Sequence, residues 1–230
     1  MDTSIIGRID PAPLMLTLKV AAVATACAFV AGAASARLMS RARFPGSGWL
    51  DALFAMPLVL PPTVVGYYLI VVVGRNGFLG RWLMDVFGMS LVFTWQGAAV
   101  AASVASFPLV YKSARAAFEG VDTAYEDAAR TLGQTEASVF FRVSFPLAWR
   151  GVMAGTMLAF ARAMGEFGAT LMVAGNLPGR TQTLSLAIYD AVVSGDDALG
   201  MALVAVTTVI CMVVLVGSGR ILNGAYNTGA

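Results

Sequence analysis

The chain contains no histidine and little charge. Of its 230 residues, 12% are charged and 58% are hydrophobic. A soluble globular domain carries about 25% charged residues, so this composition favours a protein that lies largely within a membrane. The absence of histidine excludes His-based catalytic triads and His-ligated metal sites. The net charge of +2 is too small to indicate nucleic-acid binding.

Nucleotide-binding and redox features are also scarce. No GxxxxGK[ST] phosphate-binding loop occurs in the chain, so any ATP used in its function must be bound by another polypeptide. Two cysteines are present, Cys27 and Cys211, and both lie in apolar runs. We predict that they are inert packing residues and form neither a disulfide nor a redox pair.

Five apolar segments are long enough, or nearly long enough, to cross a bilayer, which requires about 20 residues. They are Leu14–Ala36, Leu53–Val73, Leu91–Tyr111, Val152–Ala174 and Leu199–Val216. The sequence shows no internal repeat, no low-complexity tract and no sign of a second domain. We therefore predict an all-α membrane protein with about five transmembrane helices in a single domain over residues 1–230.

The first apolar segment has a second interpretation. Arg8, an apolar core and the Ala-Ser-Ala triplet at 34–36 resemble a cleavable signal peptide. The apolar stretch is longer than a usual signal-peptide core, however, and Arg37, Arg41 and Arg43 follow it at once. Because such a basic cluster resists export, we predict a retained helix.

The basic residues outside the spans predict the orientation. Nine would lie on one side of the membrane and four on the other. The nine are Arg37, Arg41, Arg43, Lys112, Arg115, Arg130, Arg142, Arg150 and Arg220, and the four are Arg8, Arg75, Arg81 and Arg180. The positive-inside rule then places the long loop between the third and fourth spans in the cytoplasm. The N-terminus is expected outside and the C-terminus inside.

Two spans contain groups that are unusual at membrane depth. Pro61 and Pro62 remove backbone donors from the second span and should bend it. Such a bend is typical of a kinked packing helix or of a helix that lines a pore. Arg162 and Glu166 are four residues apart in the fourth span, so they share a helix face and can pair. The pair fits either a structural ion pair or part of a gate, since ionisable groups at this depth usually face a cavity or the bundle interior.

The loop at about 113–149 carries helix signals and both charge signs. Thr123 and Glu126 have the spacing of a capping box, which predicts a helix start near Ala124. Gly133 suits the position just after the end of that helix. The loop is thus expected to fold as a helix, a glycine turn and a second helix.

The second helix of the loop is expected from about 136 to 145, with Pro146 at the turn into the fourth span. An apolar stripe beside Arg142 would be formed by Val139, Phe140 and Val143. A short helix with apolar and charged groups suits a groove on a partner protein. An ordinary solvated helical hairpin is the alternative.

This loop resembles the cytoplasmic EAA loop of ABC-importer permeases, through which a separate ATPase drives the membrane subunit. The family pattern is an acidic residue, two alanines, a glycine, nine residues, then a branched aliphatic residue, any residue, Leu and Pro. The corresponding residues are Asp127, Ala128, Ala129, Gly133, Val143 and Pro146, with Phe145 where leucine is usual. The resemblance implies a type I ABC importer permease fold with cytoplasmic coupling helices. It also implies that the loop, with Phe140 and Arg142, inserts into a cleft on each ATPase subunit, where Glu126 and Asp127 would meet basic groups.

The resemblance continues in the fourth span. The run ARAMGEFGAT at 161–170 is followed by VAGNLPGRTQTL at 173–184. These runs closely resemble the permease subunits of molybdate and tungstate ABC importers, and the likeness covers essentially the whole chain. It implies a multi-pass homodimer in the plasma (inner) membrane, with two copies of a cytoplasmic ATPase and an external molybdate-binding protein as partners. The chain itself would hold no cofactor, because ATP and Mg²⁺ would be bound by the ATPase, and it would bind no nucleic acid.

The candidate residues for a translocation path or gate are Arg162, Glu166, Thr170, Pro61 and Pro62. The spans contain no dense basic cluster, so a tight anion site inside the membrane is not expected. Backbone amides and Ser or Thr hydroxyls could line a low-affinity path.

Two alternatives remain at this point. A sulfate or thiosulfate permease belongs to the same class, and such permeases carry a similar GEFG element. An ion-coupled secondary transporter, with Arg162 and Glu166 as an ion relay, belongs to another class. A membrane enzyme is disfavoured by the missing histidine and by the lack of an evident acidic pair in facing spans.

Overall fold

The computed structural model describes residues 10–41 and 45–224, with side chains up to residue 217. Every regular element in these stretches is a helix. The helices are α1 (Ala12–Ser40), α2 (Ser47–Val59), α3 (Pro62–Val73), α4 (Phe78–Phe87), α5 (Trp95–Glu119), α6 (Thr123–Thr131), α7 (Glu136–Val139), a π segment (Phe140–Ser144), α8 (Phe145–Met164), α9 (Gly168–Ala174), α10 (Leu184–Val193) and α11 (Asp197–Gly224). The predicted all-α class is confirmed. Arg8, Arg43 and the side chain of Arg220, which contributed to the sequence arguments, lie outside the described part.

Two helices, α1 and α11, are long and apolar enough to cross a membrane as unbroken spans. They correspond to the first and fifth predicted spans. At 1.5 Å per residue, the 29 residues of α1 extend about 44 Å, which exceeds a hydrocarbon core of about 30 Å. The C-terminal turns of α1, which include Arg37, can therefore extend beyond the apolar layer.

The second and fourth predicted spans are each broken in two. A bend at Pro61 and Pro62 in the second span was predicted, whereas the break in the fourth span was not. Helices α2 and α3 meet at 114°, and the helix from Glu136 to Met164 meets α9 at 61°. The first break follows from Pro61 and Pro62, because proline has no N–H and the residue before it avoids the helical conformation. Leu60 is accordingly extended, with ψ 141°. By length and composition, the described residues provide up to four spans if each bent pair counts as one.

Helix α5 occupies the centre of the bundle and packs against α1 and α8. It replaces the third predicted span but begins later, at Trp95, and continues to Glu119. The N-terminal half of its buried face consists of small residues that let neighbouring helices approach closely, including Gly97, Ala98, Ala101, Ala102 and Ala105. Glycines on the neighbouring helices allow the same close contact: a Cβ on Gly32 of α1 would come 2.9 Å from the Cβ of Val110, and one on Gly155 of α8 would come 2.5 Å from the Cβ of Ser113.

The C-terminal ends of α1 and α5 meet the N-terminal end of α8 in one apolar cluster. Met39, Phe118 and Val152 are buried there. At the same end, Asp51 of α2 accepts a hydrogen bond from the Tyr111 hydroxyl (2.8 Å) and lies 2.6 Å from Lys112 Nζ. The loop that contains α6 and α7 projects from this end.

Both cysteines are free thiols in the structure. Cys211 is half-buried, but Cys27 is exposed on the surface of α1, where it was expected to pack.

Candidate functional site: the projecting loop and the two helix breaks

Helix α6 begins at Thr123, close to the predicted start, but its cap is a different residue. Asp122 Oδ1 accepts a hydrogen bond of 2.9 Å from the Ala124 N–H. Asp122 is therefore the N-cap, as acidic and hydroxyl side chains favour. The capping-box prediction placed the start of the helix correctly but named Thr123 instead of Asp122 as the cap. Glu126 does not cap the helix and has other partners.

Gly133 ends α6 as predicted. Its φ of +79° lies in the left-handed region that favours glycine. The Gly133 N–H donates to the Arg130 carbonyl, and the Gln134 N–H donates to the Ala129 carbonyl. These two bonds form a Schellman motif, which closes the helix sharply. No atom lies within 4 Å of the place where a Gly133 Cβ would be, so the turn projects into open space.

Glu126 is the one buried residue of α6, with 1% of its surface exposed. Its Oε1 accepts hydrogen bonds from Ser144 Oγ (2.6 Å) and Arg37 Nη1 (3.1 Å). Its Oε2 lies 3.0 Å from Arg41 Nη2 and 3.5 Å from Arg130 Nη2. The carboxylate thus meets basic groups of its own chain. This corrects the expectation that Glu126 faces basic groups of a partner.

The surroundings of Glu126 keep it ionised. Burial raises the pKa of this carboxyl group, but the hydrogen bond from Ser144 and the contacts with Arg41 and Arg37 outweigh burial. The net pKa lies below its ordinary value of 4.5. A negative charge is therefore held between the loop and the end of α1 at neutral pH.

Arg130 connects α6 to α7. Its Nη1 lies 2.7 Å from Asp127 Oδ1, and its Nε lies 2.7 Å from Glu136 Oε1. The hydrogen bond from Arg130 lowers the pKa of Glu136 below its ordinary value of 4.5. The Asp127 side chain remains 68% exposed, so it is the acidic group of the EAA-like motif that a partner can reach.

The second helix of the loop does not end near Phe145. Helix α7, the π segment and α8 continue as one helix from Glu136 to Met164. The Phe145 N–H donates to the Phe140 carbonyl, five residues back, directly before Pro146. Pro146 has no N–H to give to an α-helical carbonyl, and the wider π turn lets the helix pass it without a break. The prediction of a turn at Pro146 is therefore wrong.

The predicted apolar stripe faces the core instead of a partner. Val139 is 1% exposed, and Val143 is half-buried. The Phe140 ring packs against Phe118 and Phe145, with centroids 5.9 and 5.7 Å apart. The large apolar side chains exposed between the start of α6 and the end of the π segment are Tyr125, Leu132 and Phe141.

We use the name docking surface for the exposed residues of this loop. Those predicted from the motif are Asp127, Ala128, Gly133, Arg142 and Pro146, and those added by the structure are Tyr125, Leu132 and Phe141. Ala129 is half-buried beside them. A projecting turn with both charge signs and three large apolar groups is suited to a groove on another protein.

The two helix breaks meet inside the bundle. A Cβ on Gly168, at the start of α9, would come 2.7 Å from the Cβ of Pro62, at the start of α3. Gly66 of α3 lies equally close to Met172, 2.7 Å from its Cβ by the same measure. Thr170 is buried here, whereas Pro61 and Pro62 are exposed. Irregular backbone at membrane depth is tolerated where protein buries it or where it lines a cavity.

Arg162 and Glu166 pair as predicted, with 2.6 Å between Arg162 Nη1 and Glu166 Oε2. Glu166 Oε1 also accepts a hydrogen bond of 2.9 Å from the Ala169 N–H in the first turn of α9. The Glu166 side chain is 1% exposed and that of Arg162 is 33% exposed. The pair therefore bridges the break between α8 and α9. The Arg162 guanidinium is the partly exposed end of the pair.

From the sequence, Arg37 and Arg41 supported the retained first helix and the orientation, and Ser144 had no predicted role. The spacing of four residues brings both arginines to one side of the C-terminal end of α1, which is a signal for a shared acidic partner. No comparable signal marks Ser144. Its contact with Glu126 depends on the course of the chain between α6 and the π segment.

These features define a subunit of a membrane transporter: broken helices inside an apolar bundle and a polar loop projecting from one end. A family model described as "Binding-protein-dependent transport system inner membrane component" matches residues 28–227. The chain belongs to this family of permease subunits.

Three curated relatives illustrate the similarity. The chain is 46% identical over 189 residues to the molybdenum transport system permease protein ModB of Escherichia coli (strain K12), covering 82% of each protein. It is 44% identical over 203 residues to the putative molybdenum transport system permease protein YvgM of Bacillus subtilis (strain 168), covering 88% of this chain and 87% of the relative. It is 39% identical over 174 residues to the sulfate transport system permease protein CysT of Escherichia coli (strain K12), covering 76% of this chain and 62% of the relative.

Solved structures share the fold. The MetNI methionine ABC transporter in an inward-facing conformation contains a chain that superposes with a TM-score of 0.74 at 17% identity, covering 97% of this chain and 99% of that one. An amino acid ABC transporter matches with a TM-score of 0.65 at 18% identity, covering 97% and 98%. The chain therefore has the type I ABC importer permease fold. It is an inner-membrane transporter subunit and not an enzyme, and its family implies ATPase and binding-protein partners.

Proposed function

We propose that the chain is the permease subunit of an ATP-driven importer of molybdate or tungstate and forms the translocation path as a homodimer. The observation that carries the substrate class is the 46% identity over 82% of the chain to a relative whose description names molybdenum transport. The chain contains no phosphate-binding loop, so a separate ATPase supplies the energy.

The docking surface is the site where that ATPase binds. Asp127 and Arg142 offer one charge of each sign, and Leu132 and Phe141 offer apolar contacts. The open left-handed turn at Gly133 lets the loop seat closely in a cleft. Two ATPase copies bind one loop each, and ATP with Mg²⁺ is bound between them, whereas this chain holds no cofactor.

The loop end of the bundle faces the cytoplasm. Arg37, Arg41, Lys112 and Arg115 lie at this end with the docking surface. Their accumulation agrees with the positive-inside rule. The N-terminus then lies outside and the C-terminus inside, and the external molybdate-binding protein delivers its anion to the opposite end.

The path for the anion runs beside the paired helix breaks. Arg162 provides a half-exposed cation there, and Glu166 balances its charge. One cation whose charge is already balanced by Glu166 binds a dianion only weakly. Weak binding suits a path that must release the transported anion. Thr170, Pro61 and Pro62 lie next to the same break and shape the wall of the path.

Competition between substrates tests the substrate class. The chain, its ATPase and its binding protein are reconstituted in vesicles, and molybdate uptake is measured with excess tungstate or excess sulfate outside. We expect tungstate to compete and sulfate to have little effect. Strong inhibition by sulfate, together with ATP-dependent sulfate uptake, would support the second candidate, a sulfate or thiosulfate permease. The 39% identity to a sulfate permease is the observation that favours that candidate.

A further inference from the structure

Helix α6 has no apolar anchor of its own. Of its nine residues, Glu126 alone is buried, and it is charged. The large hydrophobic groups of α6 and its C-cap, Tyr125 and Leu132, are 61% and 80% exposed, whereas Val121, two residues before α6, is buried in the apolar cluster. Val121 anchors the chain just before α6, and within the helix itself the contacts to the rest of the subunit are made chiefly by the Glu126 carboxylate and by Arg130.

The partners of Glu126 come from two distant parts of the chain. Arg37 lies in the last turn of α1 and Arg41 is the C-cap of that helix, 89 and 85 positions earlier, and Ser144 belongs to the π segment that continues into α8. The two arginine side chains are 18% and 32% exposed. Glu126 is the desolvated member of this cluster, with 2% of its side chain exposed, so pulling it away from both arginines would leave a buried charge uncompensated.

We propose that Glu126 is a positioning residue that fixes the coupling helix α6 to the cytoplasmic end of α1, so that α1 moves with the loop when the ATPase moves it. This inference rests on the proposed function. It assigns the two acidic residues of the motif different roles: Asp127 contacts the ATPase, and Glu126 transmits the displacement within the subunit. Helix α1 then acts as a lever, because it packs along α5 and α8 and reaches the opposite end of the bundle.

The test uses the whole complex of permease, ATPase and binding protein. Glu126→Gln keeps the size of the side chain and an oxygen for Ser144 but removes the charge that holds Arg37 and Arg41. Glu119→Gln is the matched control, because Glu119 pairs with Arg115 on the exposed surface at the same end of the bundle. Asp127→Asn is the comparison for docking. ATPase retention, ATP hydrolysis and molybdate uptake are measured for each variant.

We expect Glu126→Gln to retain the ATPase and to hydrolyse ATP. The amount of molybdate transported per ATP should fall about tenfold, which is the size of a typical coupling between two sites. Glu119→Gln should keep the normal ratio, and Asp127→Asn should instead lose ATPase binding. A normal transport ratio in Glu126→Gln overturns the inference and leaves the proposed function intact. Failure of the unaltered chain to bind any ATPase overturns the proposed function itself.

A distance measurement covers the case in which Glu126→Gln does not fold. Spin labels are placed at Leu38 of α1 and Ala124 of α6, both exposed, in a chain without Cys27 and Cys211, with one labelled copy per dimer. In the otherwise unaltered complex we expect the same distance with and without bound ATP. A distance that changes between the two states shows that α1 does not follow α6 and overturns the inference. Arg41→Met, which removes one partially exposed partner, should lower the transport ratio less than Glu126→Gln does.

Discussion

Gly168 lies directly against Pro62, so close that a Cβ on the glycine would come 2.7 Å from the proline Cβ. This contact joins the starts of α9 and α3, the second halves of the two broken spans. Protein interiors are close-packed, so α3 and α9 cannot slide past each other at this contact. The two helices must either move together or separate as rigid units. The breaks are therefore one structural feature, although they are more than 100 residues apart in the chain.

Gly168→Ala should disturb this contact. The added methyl group overlaps Pro62, and overpacking of this kind typically costs about 1–3 kcal/mol. We expect a lower melting temperature and reduced uptake. Gly165→Ala is the matched control, because its Cβ would come no closer than 3.9 Å to any neighbouring atom. Equal behaviour of the two variants would contradict the role of the contact.

Gly133→Val should weaken docking of the ATPase. An L-residue in the left-handed conformation costs about 1–2 kcal/mol, and a β-branched side chain also crowds a partner that approaches the turn. The variant is expected to insert into the membrane normally but to lose ATPase association, measured by co-purification. Gly120→Ala provides the control, since Gly120 has ordinary backbone geometry and its Cβ would be 3.4 Å from the Ala116 carbonyl oxygen. Full coupling in a well-expressed Gly133→Val protein would argue against the docking surface.

Breaking the Arg162–Glu166 pair on one side should do more harm than replacing both residues. Loss of one partner of a buried pair costs about 3–5 kcal/mol, and the lower end applies because Arg162 is partly exposed. We expect Arg162→Ala and Glu166→Ala to reduce uptake more than the double variant Arg162→Met/Glu166→Gln. Glu166→Ala should be the worst, because it also removes the acceptor for the Ala169 N–H.

Stability measurements separate the two roles of this pair. A gating role leaves a variant that assembles and hydrolyses ATP without uptake. A purely structural role lowers the melting temperature while the surviving protein transports normally. Unchanged stability and unchanged coupling in both single variants would exclude the pair from the mechanism.

Orientation can be tested by labelling from each side. Single cysteines at Ala137, in the loop, and at Arg180, between α9 and α10, are both at exposed positions. Cys27 must be replaced first because it is itself exposed, and Cys211 is replaced with it. An impermeant thiol reagent is expected to reach position 180 from outside and position 137 only from the cytoplasmic side. The reverse pattern would contradict both the orientation and the docking surface.

Local sequence signals predicted the parts of the structure that depend on neighbouring residues. Gly133 ends α6 because a left-handed turn needs glycine there, and Arg162 pairs with Glu166 because helical spacing brings them together. The break at Pro61 was likewise expected from the missing N–H. The family motif added what the physical signals left open, namely the importer class.

Long-range contacts were not predictable from one sequence. The same Glu126 that has capping-box spacing lies among Arg37, Arg41 and Ser144, and no local pattern shows which distant cations will surround it. Phe140 and Val139 looked like a partner-binding stripe, since periodicity identifies an apolar face but not what covers it.

In the proposed function, ATP bound to a separate subunit drives oxyanion import through this chain. The most direct measurement is molybdate uptake by vesicles that contain the purified permease and ATPase, with binding protein outside. ATP is trapped inside in one sample, and an ion gradient without ATP is imposed in the other. We expect uptake only with ATP, and none when Gly133→Val replaces the permease. Uptake driven by the gradient alone would contradict the account and identify a secondary transporter.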